Sequence, residues 1–387
     1  MTFARVSILL AAASVAFASA ACDSTPAESE DGPVAEGDVT YQAGIKAVID
    51  QKCANCHNAG GIGPFSLETY EDVASHINAV RSAIDSGSMP PWPVKDDCND
   101  YKNDRSLDPA DKEKLLAWID AGAPEGSTPD AEEGESAAGL SRVDRTLGMP
   151  VDYTPVMAPD DYRCFLLDWQ EAETTFVTGF RANPGNASTV HHVIAYVIPP
   201  SQVAKYQKLD ADEEGAGYTC FGGPGGGIDQ DTRFVGSWAP GTAGGDLPEG
   251  TGIRIEPGSK IALQVHYNTS HGAGSDRTSI DLKLDPPVEH EGVWQFFTNL
   301  EWLFGAGMEI PPMTSDVKHE YSMDPTGFVA GGKSFVIHSV GLHMHTLGQS
   351  IRLSVEQPSS DAEACLLDIP QWDFHWQGSY DLKEPLV

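Results

Sequence analysis

The run VHHVIAYVI, Val190–Ile198, is short, rich in β-branched residues and free of glycine and proline, which reads as a β-strand carrying two adjacent histidines. Runs of the same kind surround it: TTFVTGFRA (174–182), KIALQVHYNTS (260–270), TSIDLKLDPP (278–287), GKSFVIHSVGLHMHTLGQSIRLSVEQ (332–357) and QWDFHWQGSYDL (371–382). Glycine and proline clusters separate them, the signature of all-β sandwiches. A break at Asp285–Gly292 divides the runs into two groups. We therefore expect two all-β sandwich (jelly-roll-like) domains, at 151–285 and 286–387.

Upstream the pattern turns helical. YQAGIKAVIDQKCANCH, YEDVASHINAVRSAIDSG and DPADKEKLLAWIDAGAPEG predict three helices in a small all-α domain at 41–126. The last has Asp108 as N-cap and Pro109 in its first turn, and it stops at Gly122 and Pro124. Residues 127–150, small and acidic at their start, read as a linker. A chain of 387 residues accommodates this multidomain layout.

CANCH, Cys53–His57, is the attachment pattern of c-type haem: two thiols bond the vinyl groups and His57 supplies an axial imidazole. A zinc half-site would want a second ligand pair and a redox CxxC a βαβ context, and neither is visible. SGSMPPWPV offers Met89 as the sixth ligand, its turn stiffened by Pro90 and Pro91. His76, in mid-helix among apolar neighbours, is the rival and reads as a packing or surface residue. In CANCH, MPPW and LLAWIDAGAPEG the region resembles bacterial class I cytochrome c modules, which carry one electron at a time.

The N-terminus, MTFARVSILLAAASVAFASAAC, sets Arg5 ahead of an apolar run from Val6 to Phe17 and then small residues, the layout of an export signal over 1–21. Cleavage at Ala18–Ala20 competes with a lipobox, SAAC, in which Cys22 is lipidated. The polar tether at 22–40 favours the lipoprotein, anchored to a membrane on the exported side. Export permits disulfides. Cys98, Cys164, Cys220 and Cys365 are the candidates, and Cys164 with Cys220 is the expected pair because both fall in one sheet region. A net charge of −33, from 57 acidic against 24 basic residues, argues against a nucleic-acid partner.

His343 and His345, read as one strand, leave the same face while Met344 points away, and two imidazoles so spaced suit copper or zinc. His338, an odd number of residues away, faces the other side. For His191 and His192 to share a metal the strand needs a bulge; otherwise one is core and one surface. His266 alone reads as a core histidine. His375, among aromatics, is a core or a cleft residue.

Taken together, TVHHVIAY, CFGGPGG, IALQVHYN and HMHTLGQSIRL occur in the order seen in the copper type II, ascorbate-dependent monooxygenases, and from about Asp161 onward the chain resembles that family of peptidylglycine α-hydroxylating and dopamine β-monooxygenases. The resemblance implies two β-sandwich domains with one copper each. It assigns His191, His192 and His266 to an electron-supplying copper, and His343 and His345 to the catalytic copper that binds dioxygen and abstracts hydrogen from a substrate carbon. Gln264, on the strand face of His266, would stand beside the first copper. Two departures stand out. The family's thioether ligand lies well downstream of H-x-H, yet no methionine follows His345, so the last domain reads as C-terminally incomplete. Gly341 stands where the peptide-amidating member has an arginine, so a peptide C-terminus is a poor substrate and the small molecule hydroxylated is open. The expected function is an exported copper monooxygenase with haem c as built-in electron donor; the alternative is a non-catalytic haem and copper electron-transfer or copper-binding protein.

Overall fold

The computed structural model describes residues 39–387 except 60, 103, 128–138, 226–232, 271, 304, 306, 357–362 and 375. The signal peptide, Cys22 with its tether to residue 38, and His375 lie outside the described residues. The described chain is mostly β, in several sheets, with four helices ahead of the first strand.

Four helices come first: α1 (Ile45–Lys52), α2 (Tyr70–Ser75), α3 (Ile77–Ser86) and α4 (Pro109–Asp120). The expected N-cap of α4 is present, with Asp108 Oδ1 accepting from Ala110 N at 2.7 Å, and Gly122 ends that helix at φ +88°. Where one helix was expected over 70–87 there are two. A capping box between Thr69 and Asp72 starts α2, and the chain breaks at His76, which caps both neighbours. His76 is thus a junction residue rather than a mid-helix one. Ile45, Ile49, Val80, Ile84, Leu115 and Trp118 form the shared core.

The strands follow: β1 (Arg145–Gly148), β2 (Asp160–Asp168), β3 (Thr175–Asn183), β4 (Val190–Ile198), β5 (Tyr218–Thr219), β6 (Arg233–Trp238), β7 (Gly245–Asp246), β8 (Thr251–Ile255), β9 (Lys260–Asn268), β10 (Ser279–Asp285) and β11 (His290–Glu291), with helix α5 (Val203–Asp212) after β4. One sheet runs β1-β10-β3-β8-β11 with β7 beside β3, and the other β5-β2-β9-β4-β6. Val177, Phe180, Ile253 and Leu282 of the first and Phe165, Val193, Leu263 and Val265 of the second share one buried core, so the sheets pack together.

Two expected boundaries shift. Leu147 of β1 pairs with Ile280, so the end of the supposed linker is sheet, committed by its ladder hydrogen bonds. At the other end β11 pairs with β8 and Trp294 packs on the same core, so this unit reaches past Asp285.

The last region holds β12 (Ile337–Gly341), β13 (Ile351–Glu356), β14 (Glu363–Ile369) and β15 (Ser379–Leu386), paired as β12-β15 and β13-β14. Its core is completed from outside: Val94 and Tyr101 pack with Val340, Leu367, Tyr380 and Leu382. Lys95 N donates to Asp368 O and Lys102 N to Asp381 O. Residues 92–102, expected within the helical domain, therefore strap the final sheets. Cys98 bonds to Cys365, and Cys164 to Cys220 as expected. Among the described residues no helix is long and apolar enough to cross a membrane.

Candidate functional site

Three imidazoles meet at the start of β4. His192 lies opposite His266 of β9, and the register slips between Val190 and His192. That bulge turns adjacent residues toward one point, as joint chelation requires. The Nδ1 atoms stand 3.4 Å apart for His191 and His192, and 3.2 Å from each of these to His266. Nitrogens bound to one ion at about 2.0–2.1 Å sit about 3.3–3.5 Å apart at tetrahedral to trigonal angles, so the spacing fits one metal. It is the one group of three or more His, Cys, Asp or Glu ligands found among the described residues.

The protonation states suit the same use. His266 Nε2 lies 2.9 Å from Asp160 Oδ1. A carboxylate only accepts, so Nε2 carries the proton and Nδ1 keeps its lone pair toward the cluster. Desolvation, followed by the neighbouring histidines 266, 191 and 343, holds the pKa of His192 well below the ordinary histidine value, which keeps it neutral and able to ligate. Tyr162 stacks on His266 with centroids 4.0 Å apart and planes 5° from parallel. Gln264 is buried two residues before His266 on β9, but its amide donates to Cys220 O and Gly223 O and not to an imidazole. Its work is to hold that loop.

His343 and His345 lie beyond the end of β12, in irregular chain rather than in the strand expected there. Alternation persists nonetheless: both histidines are exposed, while Leu342 and Met344 are half-buried. Their rings stand 5.1 Å apart. Met344 is turned toward Gly348, where an added Cβ would meet its sulfur at 3.0 Å. Gln377 Nε2 donates to Phe374 O at 2.8 Å, which aims its oxygen at His343 Nδ1, 2.5 Å away. The imidazole must therefore donate from Nδ1, leaving Nε2 to a ligand. Desolvation lowers the His343 pKa and His345 adds to this, with Gln377 opposing. His338 stays on β12 with its Nδ1 buried and without a hydrogen-bond partner among the described residues, and joins neither set.

The CANCH segment opens onto a cavity of about 410 Å³, within the range of cofactor sites, lined by Cys53, Cys56, His57 and Met89 with apolar side chains such as Ile84 and Leu115. His57 Nδ1 donates to Phe65 O at 3.0 Å, leaving Nε2 for a metal. Gly63 lies so close that a Cβ would come within 2.6 Å of that Nδ1. Cys53 and Cys56 are free thiols, and burial, then Cys56 and Asp50, pushes the Cys53 pKa up to about 12. A redox CxxC needs the opposite shift. Two thiols, a tautomer-fixed imidazole and a thioether around an apolar cavity fit haem c. His76 is absent from the lining and stacks on Phe65, 4.0 Å between centroids.

The same cavity reaches the β sheets. His191, Asn268 and Trp376 line it, and Gly241 lies so near Cys56 that a Cβ there would stand 2.8 Å from Sγ. Neither any protein-family model nor any curated protein sequence matches this chain. Asp160, Gln377 and the Phe65 carbonyl were not found from sequence. Their only signal is strand register or loop geometry, such as Tyr162 opposite His266.

Proposed function

We propose that this protein is an exported copper monooxygenase that hydroxylates a C–H bond of a small molecule with dioxygen and takes its electrons through an attached haem c. One observation carries the reading: His191 belongs both to the three-imidazole cluster and to the wall of the cavity that holds Cys53, Cys56 and His57. An electron donor and a metal acceptor would then share one side chain's environment. When bound, haem would supply single electrons, and copper would store them and bind dioxygen.

The chain's own part is to hold and orient. Cys53 and Cys56 would tether the haem, and His57 and Met89 would ligate its iron. Asp160 fixes the proton of His266 on Nε2, so that its Nδ1 would join His191 and His192 in holding the electron-supplying copper. Gln377 does the same for His343, which with His345 would hold the second, catalytic copper. The finer architecture proposed with this reading is a cytochrome c-like helical domain followed by two β-sandwich domains, in a lipoprotein anchored through Cys22.

The rival reading, a haem and copper electron-transfer or copper-binding protein, has one observation in its favour. Among the described residues no third His, Cys, Asp or Glu joins His343 and His345 as a ligand group. Elemental mass spectrometry on exported, copper-loaded protein separates the two. About two coppers per iron, with isotope-labelled dioxygen entering a product, supports the oxygenase; about one copper per iron and no product supports the rival.

A further inference from the structure

Phe221 is 65% exposed, yet the residues that flank it, Cys220 and Gly223, are held in place. The preceding residue, Cys220, is bonded to Cys164 on β2, and its N donates to Tyr162 O at 3.2 Å. The Gln264 amide, 2% exposed, donates to Cys220 O at 2.7 Å and to Gly223 O at 2.6 Å. A buried amide is costly unless its donors are satisfied, so these bonds hold the loop in one position. A large apolar ring is thereby kept in solvent, where it forgoes about 25 cal/mol for each Å² left uncovered.

The ring stands between the two histidine sets. It meets Tyr162 edge-on at 4.9 Å and 88°, and Tyr162 in turn stacks on His266. On its other side it meets His345 edge-on at 6.2 Å and 89°. Phe374 approaches His345 at 6.1 Å. Leu347, two residues after His345, is 72% exposed.

The described contacts of His343 and His345 carry no charge, and the Asp160 carboxylate near Tyr162 is already engaged by His266 and Asn268. The partner of His343 is the neutral amide of Gln377, and the ring neighbours of His345 are His343, Phe221 and Phe374. Gly341 offers no side chain, and a Cβ there would come within 3.2 Å of Gly378 O. A net charge of −33 repels anions from the whole surface.

The geometry points to Phe221 as the residue that selects substrate: an uncharged apolar molecule, aromatic or alkyl, laid against Phe221 and Phe374 with its reacting C–H toward His345. The reaction rests on the copper-monooxygenase reading, whereas the binding preference does not.

The test is calorimetric titration of the haem-loaded full chain, with and without copper, using phenylethanol, phenylacetate and phenethylamine. Phenylethanol is expected to bind roughly tenfold more tightly than either charged analogue, Phe221→Ala to weaken it roughly tenfold, and Phe221→Leu to restore most of the loss. Equal or tighter binding of phenylacetate or phenethylamine overturns the inference. So does unchanged binding by a Phe221→Ala protein whose circular dichroism and disulfides match the parent. Copper per chain, measured on the same samples, keeps the two ideas apart. Copper uptake without the neutral preference sinks this inference alone; the neutral preference without a second copper sinks the oxygenase reading alone.

Discussion

Cys98, nine residues beyond Met89, is bonded to Cys365 in the final hairpin, across 267 residues of sequence. The strap from Trp92 to Lys102 runs with it, and Tyr101 donates its hydroxyl to Leu366 O at 2.9 Å. The wall of the CANCH cavity is thus tied to the sheets beside His343. Replacing both cysteines with serine is expected to cost about 2–5 kcal/mol of stability in guanidinium titration. The same variant should lose part of the cavity's alignment, read as a changed ferric haem spectrum.

Asp160 is the proton acceptor of His266 and also receives Asn268 Nδ2 at 3.2 Å. Without the carboxylate the imidazole is free to turn or to change tautomer. Asp160→Ala is expected to weaken copper binding at the three-imidazole cluster roughly 10–100-fold, with the fold retained, in a competition titration against a chelator of known affinity. Gln377→Ala should leave that cluster unaffected and weaken the His343 and His345 pair alone.

Met89 lines the cavity beside Cys53, Cys56 and His57, and His76 does not. A thioether raises the reduction potential of a histidine-ligated haem. Met89→Leu is expected to lower the potential in a spectroelectrochemical titration and to change the ferric absorption bands. His76→Gln should leave both in place.

Asp281 is buried, which opposes its ionisation, but hydrogen bonds from Thr146, Arg181 and Asn183 outweigh this and hold its pKa below the usual carboxylate value of 3.8. Its stabilising contribution is therefore complete above the unfolded value and is lost as pH falls through the lower folded value. Asp281→Asn is expected to cost about 1.5–3 kcal/mol near neutral pH, because it leaves a charged partner unmatched. In urea titrations that gap between parent and variant should narrow as pH falls below the usual carboxylate range.

What could be read from sequence follows from how local each signal is. The strand at Val190–Ile198 and the capped start of α4 depend on neighbouring residues, and both appear where expected. The Cys164–Cys220 bond was legible because both cysteines lie in one sheet region. Cys98 paired with Cys365 only because a strap from the helical region completes a distant core, which no local pattern announces. The histidine pair at 343 and 345 keeps its alternation although its strand ends at Gly341. Adjacent histidines at 191 and 192 pose a question that only the register slip answers. Asp160 and Gln377 stayed hidden because each acts across 106 and 34 residues of sequence, respectively.

Electron delivery inside one molecule is best tested by anaerobic stopped-flow absorbance, with haem reduced by a rapid pulse in copper(II)-loaded protein. Reoxidation of the haem should follow first-order kinetics with a rate independent of protein concentration, and should slow when His191 is replaced by alanine. A haem that stays reduced beside bound copper(II), or a rate that rises in proportion to protein concentration, would contradict the account.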